Sequence, residues 1–270
     1  MNIKNLCYRT DCIIQEFDGT VSEEDDYFVV RTPAVPNYHW GNYLLFKKAP
    51  QAGDYDKWIE AHEKEFGTDS GHVTFGWDSQ EIGDISDFEK NGFTRESGEA
   101  LCFQGVPPEV EIEPDFEVRK IETDEEWQTV MDLQVRTDQE ESPSEGFVAF
   151  IRNLFQTYRR MNAKGWGNWY GAFCENTLIG DMGIYFDSKL EVARFQRVET
   201  HAEHRGKGVC THLLKTVMRE AISSKPDAKL VICANLNSQA GRIYSKSGFQ
   251  KTELHHGVSL PRPYKNRFDR

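Results

Sequence analysis

The sequence has no apolar run long enough to cross a bilayer, and its first residues reach Asp11 without the apolar core of a signal peptide. Paired cysteines are missing too. Cys7, Cys12, Cys102, Cys174, Cys210 and Cys233 form no C-x-x-C and no Cys/His spacing that would hold zinc. They read as reduced, mostly buried thiols, and the chain as cytoplasmic, with no membrane partner and no metal. Positive charge is scarce: 32 Lys and Arg stand against 44 Asp and Glu, a net charge of −12. A nucleic-acid partner is excluded on that ground, because neutralising phosphates needs a basic face. The deficit is uneven. Up to Asp115 there are 24 acidic and 9 basic residues; after it there are 20 and 23.

With 270 residues the chain can form one large or two ordinary domains. The best boundary is the run Gly105-Val106-Pro107-Pro108-Glu109-Val110-Glu111-Ile112-Glu113-Pro114, in which three prolines and alternating acids give an extended connector. This predicts domains at 1–106 and 116–270 joined by a linker over 107–115. In the second, Phe116 to Ile121 alternates as a strand, and Thr123-Asp124-Glu125-Glu126 has the form of a capping box. A helix is expected over 147–161, strands over 169–174, 178–186 and 190–200, and a helix whose apolar face runs from Val209 to Ile222. A central strand at 230–234, a helix at 238–247 and an edge strand or two complete the order β-α-α-β-β-β-α-β-α-β, a mixed α/β sheet. In the first, strands at 28–32, 43–46 and 72–77 and a helix at 54–66 are expected. There Phe88-x-x-x-Gly92-Phe93 echoes Tyr244-x-x-x-Gly248-Phe249, which suggests a degenerate internal repeat.

Two motifs carry the chemistry. Arg205-Gly206-Lys207-Gly208-Val209-Cys210 opens a helix, and a glycine turn there offers unpaired amides and a positive dipole end to a diphosphate. Alone it is a common pattern. One helix and one strand later stands Asn237-x-x-Ala240-x-x-x-Tyr244-x-x-x-Gly248-Phe249. Its five fixed positions coincide by chance on the order of once in ten thousand such chains.

The pair, in this order of elements, resembles the GNAT superfamily of N-acetyltransferases over about residues 116–264. The resemblance implies a GNAT-type fold with splayed central strands, here as two tandem GNAT-like domains, the first degenerate. It implies acetyl-CoA as co-substrate, no metal, and direct acetyl transfer to a primary amine in a ternary complex. The acceptor is a small molecule or a peptide, and a homodimer is compatible with all of this. Carried over, Arg205, Gly206, Lys207, Gly208, Val209 and Cys210 form the diphosphate cradle, with Cys210 where the family usually has Gly or Ala. Val198 and Thr200 fall on the splayed edge that pairs with the pantetheine arm, and Asn237 helps to hold that arm. Tyr244 faces the sulfur as the acid. Glu199 and His201 are the candidate bases. A chain that binds acyl-CoA as a sensor without catalysis is the alternative, and a second active site in the first half is a further one. Aromatic clusters at Trp166, Trp169 and Tyr170 and at Tyr38, Trp40 and Tyr43 suit either a cation pocket or sheet packing.

Overall fold

The computed structural model describes residues 2–68, 70–108, 115–138 and 143–261, so most of the expected linker, 109–114, lies outside the described residues. The chain folds into two compact units, one of Met1–Ala100 together with the chain from Glu253 on, the other of Leu101–Thr252.

The first unit contains helices α1 (Leu6–Asp11) and α2 (Ile13–Asp18), strands β1 (Thr20–Glu23), β2 (Tyr27–Arg31) and β3 (Tyr43–Phe46), helix α3 (Tyr55–Phe66), β4 (His72–Trp77), α4 (Ser86–Lys90) and most of β5 (Thr94–Phe103). β1 and β2 pair antiparallel, as do β2 and β3, while β3 and β4 run parallel. Both faces of β2 and β3 are covered, so these two strands read as apolar runs. Val29, Leu44 and Phe46 meet Trp58 and Phe88 on one side; Phe28, Val30 and Leu45 meet Tyr8 and Cys12 on the other.

The second unit runs β6 (Glu117–Lys120), α5 (Asp124–Asp138), α6 (Glu145–Ala163), β7 (Gly167–Cys174), β8 (Thr177–Phe186), β9 (Val192–Thr200), α7 (Val209–Ser224), β10 (Lys229–Asn235) and α8 (Gln239–Lys246), and the chain ends in β11 (Gln250–Pro261), of which only the first residues belong to this unit. This is the order expected from the sequence. The capping box forms as written: the Glu126 amide donates to Thr123 Oγ1 at 3.2 Å, and the Thr123 amide donates to Glu126 Oε2 at 3.0 Å. The sheet order is β10-β9-β8-β7-β6, antiparallel except for the parallel β9–β10 pair. Helix α7 covers one face, with Leu213, Leu214 and Val217 fully buried against Phe195 and Ile232. On the other face α5 and α6 bring Trp127, Phe155 and Tyr158 onto Trp169.

In chain order the two halves repeat one another element for element: α-α-β-β-β-α-β-α-β, with β6 added before the second. The short sequence echo is the clearest trace. After α4 the Phe93 amide donates to the Phe88 carbonyl at 3.1 Å across Gly92 (φ +86°); after α8 the Phe249 amide donates to the Tyr244 carbonyl at 3.2 Å across Gly248 (φ +99°). Both are left-handed glycine helix stops with an apolar residue tucked beneath. The division differs from the expected 1–106, 107–115 and 116–270. It falls between Ala100 and Leu101, inside β5, and the last strand joins the first unit because β11 pairs antiparallel with β4 from His256↔Trp77 to Pro261↔His72. None of the six cysteines forms a disulfide; Cys7 and Cys12 are buried and the other four are half-buried, more open than expected. Among the described residues no helix is long and apolar enough to cross a membrane.

Candidate active site

The site begins with an irregularity in β9. Gln196 lies opposite Gly183 and Glu199 opposite Asp181, so Arg197 and Val198 together face the single residue Met182. This is a β-bulge. Arg197 takes φ +45°, a conformation that non-glycine residues rarely adopt. The alternation resumes beyond it. Val198 packs with Phe195 on the α7 face, whereas Gln196 accepts the Tyr158 hydroxyl from α6 at 3.3 Å.

The second irregularity is where β9 and β10 part. Their ladder covers three pairs, the last being Arg194↔Val231, although both strands continue. The His201 amide donates to the Ile179 carbonyl on the β8 side at 3.0 Å. By alternation, the amides of Val198 and Thr200 point away from β8, into the gap. The first unit keeps its corresponding strands together. There β3 pairs with β4 through Phe46↔Trp77, the Asp78 amide continues the contact to the Phe46 carbonyl, and Phe46 stacks on Trp58 at 3.7 Å between ring centres.

The loop after β9 supplies the next wall. A short turn, Ala202–His204, leads to Arg205, whose Nε donates back to the Thr200 carbonyl at 3.1 Å. Gly206 (φ +75°) and Gly208 (φ +82°) then turn the backbone into α7, with Gly208 at the N-cap and no side chain capping the first turn. A Cβ at either glycine meets nothing within 4 Å. The protein itself therefore leaves room beside these backbones, and the positive φ is what requires glycine. Gly208→Ala is expected to cost about 1–2 kcal/mol of backbone strain, read by urea unfolding.

A cavity of about 560 Å³ joins these pieces. Of the residues singled out in the sequence, Val198, Glu199, Thr200, Arg205, Gly206, Gly208, Val209, Cys210 and Tyr244 line it. His201, Lys207 and Asn237 do not. His201 caps the Ala202–His204 turn, and Asn237 takes φ +60° in the turn before Ser238, the N-cap of α8. Ala240, a fixed position of the second motif, also lines the cavity, as do His204, Thr211, Gln239, Ile243 and Lys246, which the sequence did not single out. Gln239 and Ile243 were within reach of pattern alone, since they precede Tyr244 on the face of one helix.

Burial governs the protonation states. It pushes the Tyr244 phenol far above its ordinary value, with Cys210 and Glu199 adding to the effect and Arg194 opposing it. It pushes the Cys210 thiol to about 12, again with help from Glu199. Both are neutral donors at working pH, so Cys210 brings no charge to the place of a small residue. Burial also raises Asp181, fully enclosed behind the bulge, to about 8. No residue among those described hydrogen-bonds the Tyr244 hydroxyl. The aromatic clusters are packing: Trp169, Tyr170 and Tyr43 are buried, and Trp40 donates its Nε1 to Glu96 at 2.7 Å. Among the described residues no group of three or more His, Cys, Asp or Glu could hold a metal ion.

Residues 127–249 match the model of the acetyltransferase (GNAT) family. A conserved protein of unknown function from Staphylococcus epidermidis ATCC 12228 is similar in structure with a TM-score of 0.72 at 12% identity, over 92% of this chain and 96% of that one. A GCN5-related N-acetyltransferase from Kribbella flavida gives 0.65 at 10%, over 97% of each chain. A tandem GNAT protein from the clavulanic acid biosynthesis pathway gives 0.53 at 16%, over 83% of this chain and 74% of that one. At these identities the likeness is one of fold. A search of curated proteins finds no match.

Proposed function

From the premise that residues 127–249 form a GNAT-family acetyltransferase domain, we propose that the second unit transfers an acetyl group from acetyl-CoA to a primary amine by direct attack. One observation carries the reading: residues of the opened strand edge, of the glycine loop at the start of α7, and Tyr244 line one cavity.

The residues divide the work. The α7 first-turn amides and the loop from Arg205 to Cys210 take the diphosphate. The Val198 and Thr200 amides pair with the pantetheine arm, and one of them donates to the thioester carbonyl as it gains charge. The amine arrives mostly as an ammonium, and Glu199, on the cavity wall, removes its proton directly or through water. Nitrogen then bonds to the carbonyl carbon, the carbon–sulfur bond breaks while Tyr244 donates a hydrogen bond to the departing thiolate, and the second proton of the attacking nitrogen passes to water, from which the thiolate takes one up. His201 drops behind Glu199 as the base because its side chain is turned to the loop. The closed β3–β4 edge, together with Phe88 where the second unit has Tyr244, favours a first unit without a site of its own.

Calorimetry with acetyl-CoA on the purified chain tests the binding half, with one molecule per chain expected. Two per chain would restore a first-unit site, and none would end the proposal. Thiol release across a panel of small and peptide amines tests the transfer. The acidic first 115 residues suggest steering of a cationic amine. The kcat/KM for the accepted amine is then expected to fall as ionic strength rises, and a flat response removes steering.

A further inference from the structure

The β9 bulge has a holder on the far side of the sheet. Gln134 of α5 is about 1% exposed. Its Nε2 donates to the carbonyl of Arg197 at 3.0 Å and to Asp181 Oδ1 at 2.9 Å, and its Oε1 accepts Arg197 Nε at 2.9 Å. Trp169 Nε1 donates to the same Asp181 oxygen at 2.9 Å. One amide thus grips both strands at the irregular step: the backbone and side chain of the extra residue on β9, and the carboxyl on β8 that lies directly opposite Glu199.

We propose that Gln134 is a positioning residue that keeps the β9 bulge in register for the acetyl-pantetheine arm, an inference that rests on the acetyl-CoA reading above. A bulge carbonyl lies outside the ladder, and when buried it needs a donor from elsewhere. Gln134 supplies it. Arg197 at φ +45° is strained, and such strain persists only where neighbours over-determine it. Without the amide, the relaxed course for β9 is to lose the extra residue and continue as a regular strand. A one-residue slip turns every side chain and amide beyond it to the other side. The amides of Val198 and Thr200 would leave the gap, and Glu199 would leave its place opposite Asp181. The diphosphate loop starts at Arg205, eight residues beyond Arg197, and is shaped by Gly206, Gly208 and the start of α7; its one side-chain tie to β9 is Arg205 Nε on the Thr200 carbonyl.

That separation gives the test. Calorimetry compares acetyl-CoA with adenosine 3′-phosphate 5′-diphosphate, which keeps the diphosphate and lacks the arm. Gln134→Met preserves length and removes every polar contact. It is expected to weaken acetyl-CoA by about tenfold or more and the nucleotide by no more than about twofold. Adding Arg197→Gly should bring acetyl-CoA back to within about threefold of wild type, because glycine holds the left-handed conformation without a latch. Arg197→Gly alone should bind as wild type does. Acetyl-CoA affinity unchanged in Gln134→Met, equal losses for both ligands, failure of the added glycine to restore binding, or a loss in Arg197→Gly alone would each overturn the assignment. Should Gln134→Met lose its cooperative thermal transition, Gln134→Asn, too short to reach Arg197, carries the same expectations. Wild-type protein that binds neither ligand would instead defeat the functional reading, and that result is seen before any variant is made.

Discussion

Tyr244→Phe is expected to lower turnover by about 10²–10³-fold, the loss typical of removing one donor to a developing charge, while acetyl-CoA affinity stays within about twofold. The ring is 5% exposed and packs in the α7-side core, so phenylalanine keeps the packing and deletes only the hydroxyl. Tyr244 lines the cavity. Burial raises its proton affinity well beyond that of a thiol, so handing over the proton completely would be uphill. In the proposed reaction its role is therefore hydrogen-bond donation to sulfur as the carbon–sulfur bond stretches, with the thiolate protonated afterwards from solvent. Because the shift is upward, the donor is kept through neutral and mildly alkaline pH, and no alkaline loss of activity below pH 10 should trace to this phenol. Single-turnover kinetics with calorimetry on the same preparation decide the matter. Unchanged turnover would make Tyr244 a packing residue. Turnover absent from both proteins with coenzyme binding intact would point to a sensor.

The parts of the site that the sequence revealed are those whose side-chain direction follows from regular geometry. Gly206 and Gly208 before an apolar-periodic run fix the start of α7, and the spacing from Ala240 to Tyr244 to Phe249 fixes which face of α8 turns inward. His201, Lys207 and Asn237 lie within a residue or two of motif positions, yet their directions are set by irregular backbone. Asn237 at φ +60° and the turn capped by His201 are products of the folded loop and leave no spacing to count. Gln134 was hidden for another reason: on α5 it reads as one polar residue of an amphipathic helix, and its partner Arg197 is 63 residues away. Asp181 sits within the run read as a strand at 178–186, where nothing local says that the carboxyl is enclosed.

Domain organisation was half legible for a similar reason. The tandem repeat survives in the sequence as three matching residues, Phe88, Gly92 and Phe93 against Tyr244, Gly248 and Phe249, because the glycine stop is a backbone requirement that divergence cannot easily erase. The boundary is different. Prolines at 107, 108 and 114 read as a connector in the sequence, but cooperative units are defined by pairing and burial. The strand β5 continues across the division at Ala100 without a change in composition, and β11 finds its partner β4 some 180 residues earlier in the chain.

Asp181→Asn is expected to stabilise the second unit, and by more at pH 8 than at pH 5. The carboxyl is 0% exposed, and burial lifts it from 3.8 to about 8, with Glu199 adding to the rise and Gln134, Trp169 and Arg197 opposing it. Between these two values the folded chain holds a proton that the unfolded chain has released. Stability therefore falls as pH climbs from about 4 to about 8, by at most ~1.4 kcal/mol per unit, and the full cost remains above that window. Asparagine has no charge to bury and removes the slope. Its Oδ1 still accepts from Gln134 and Trp169, so the bulge should hold and acetyl-CoA should bind as before. Its Nδ2 gains no partner, which offsets part of the benefit and leaves a net gain of about 1–3 kcal/mol at pH 8. Urea unfolding at pH 5 and 8, followed by tryptophan emission, reads the difference. An equal gain at both pH values would mean that the carboxyl titrates normally and is not enclosed. A gain in stability with acetyl-CoA binding retained would show that this position needs an acceptor oxygen for Gln134 and bears the buried acid at a cost.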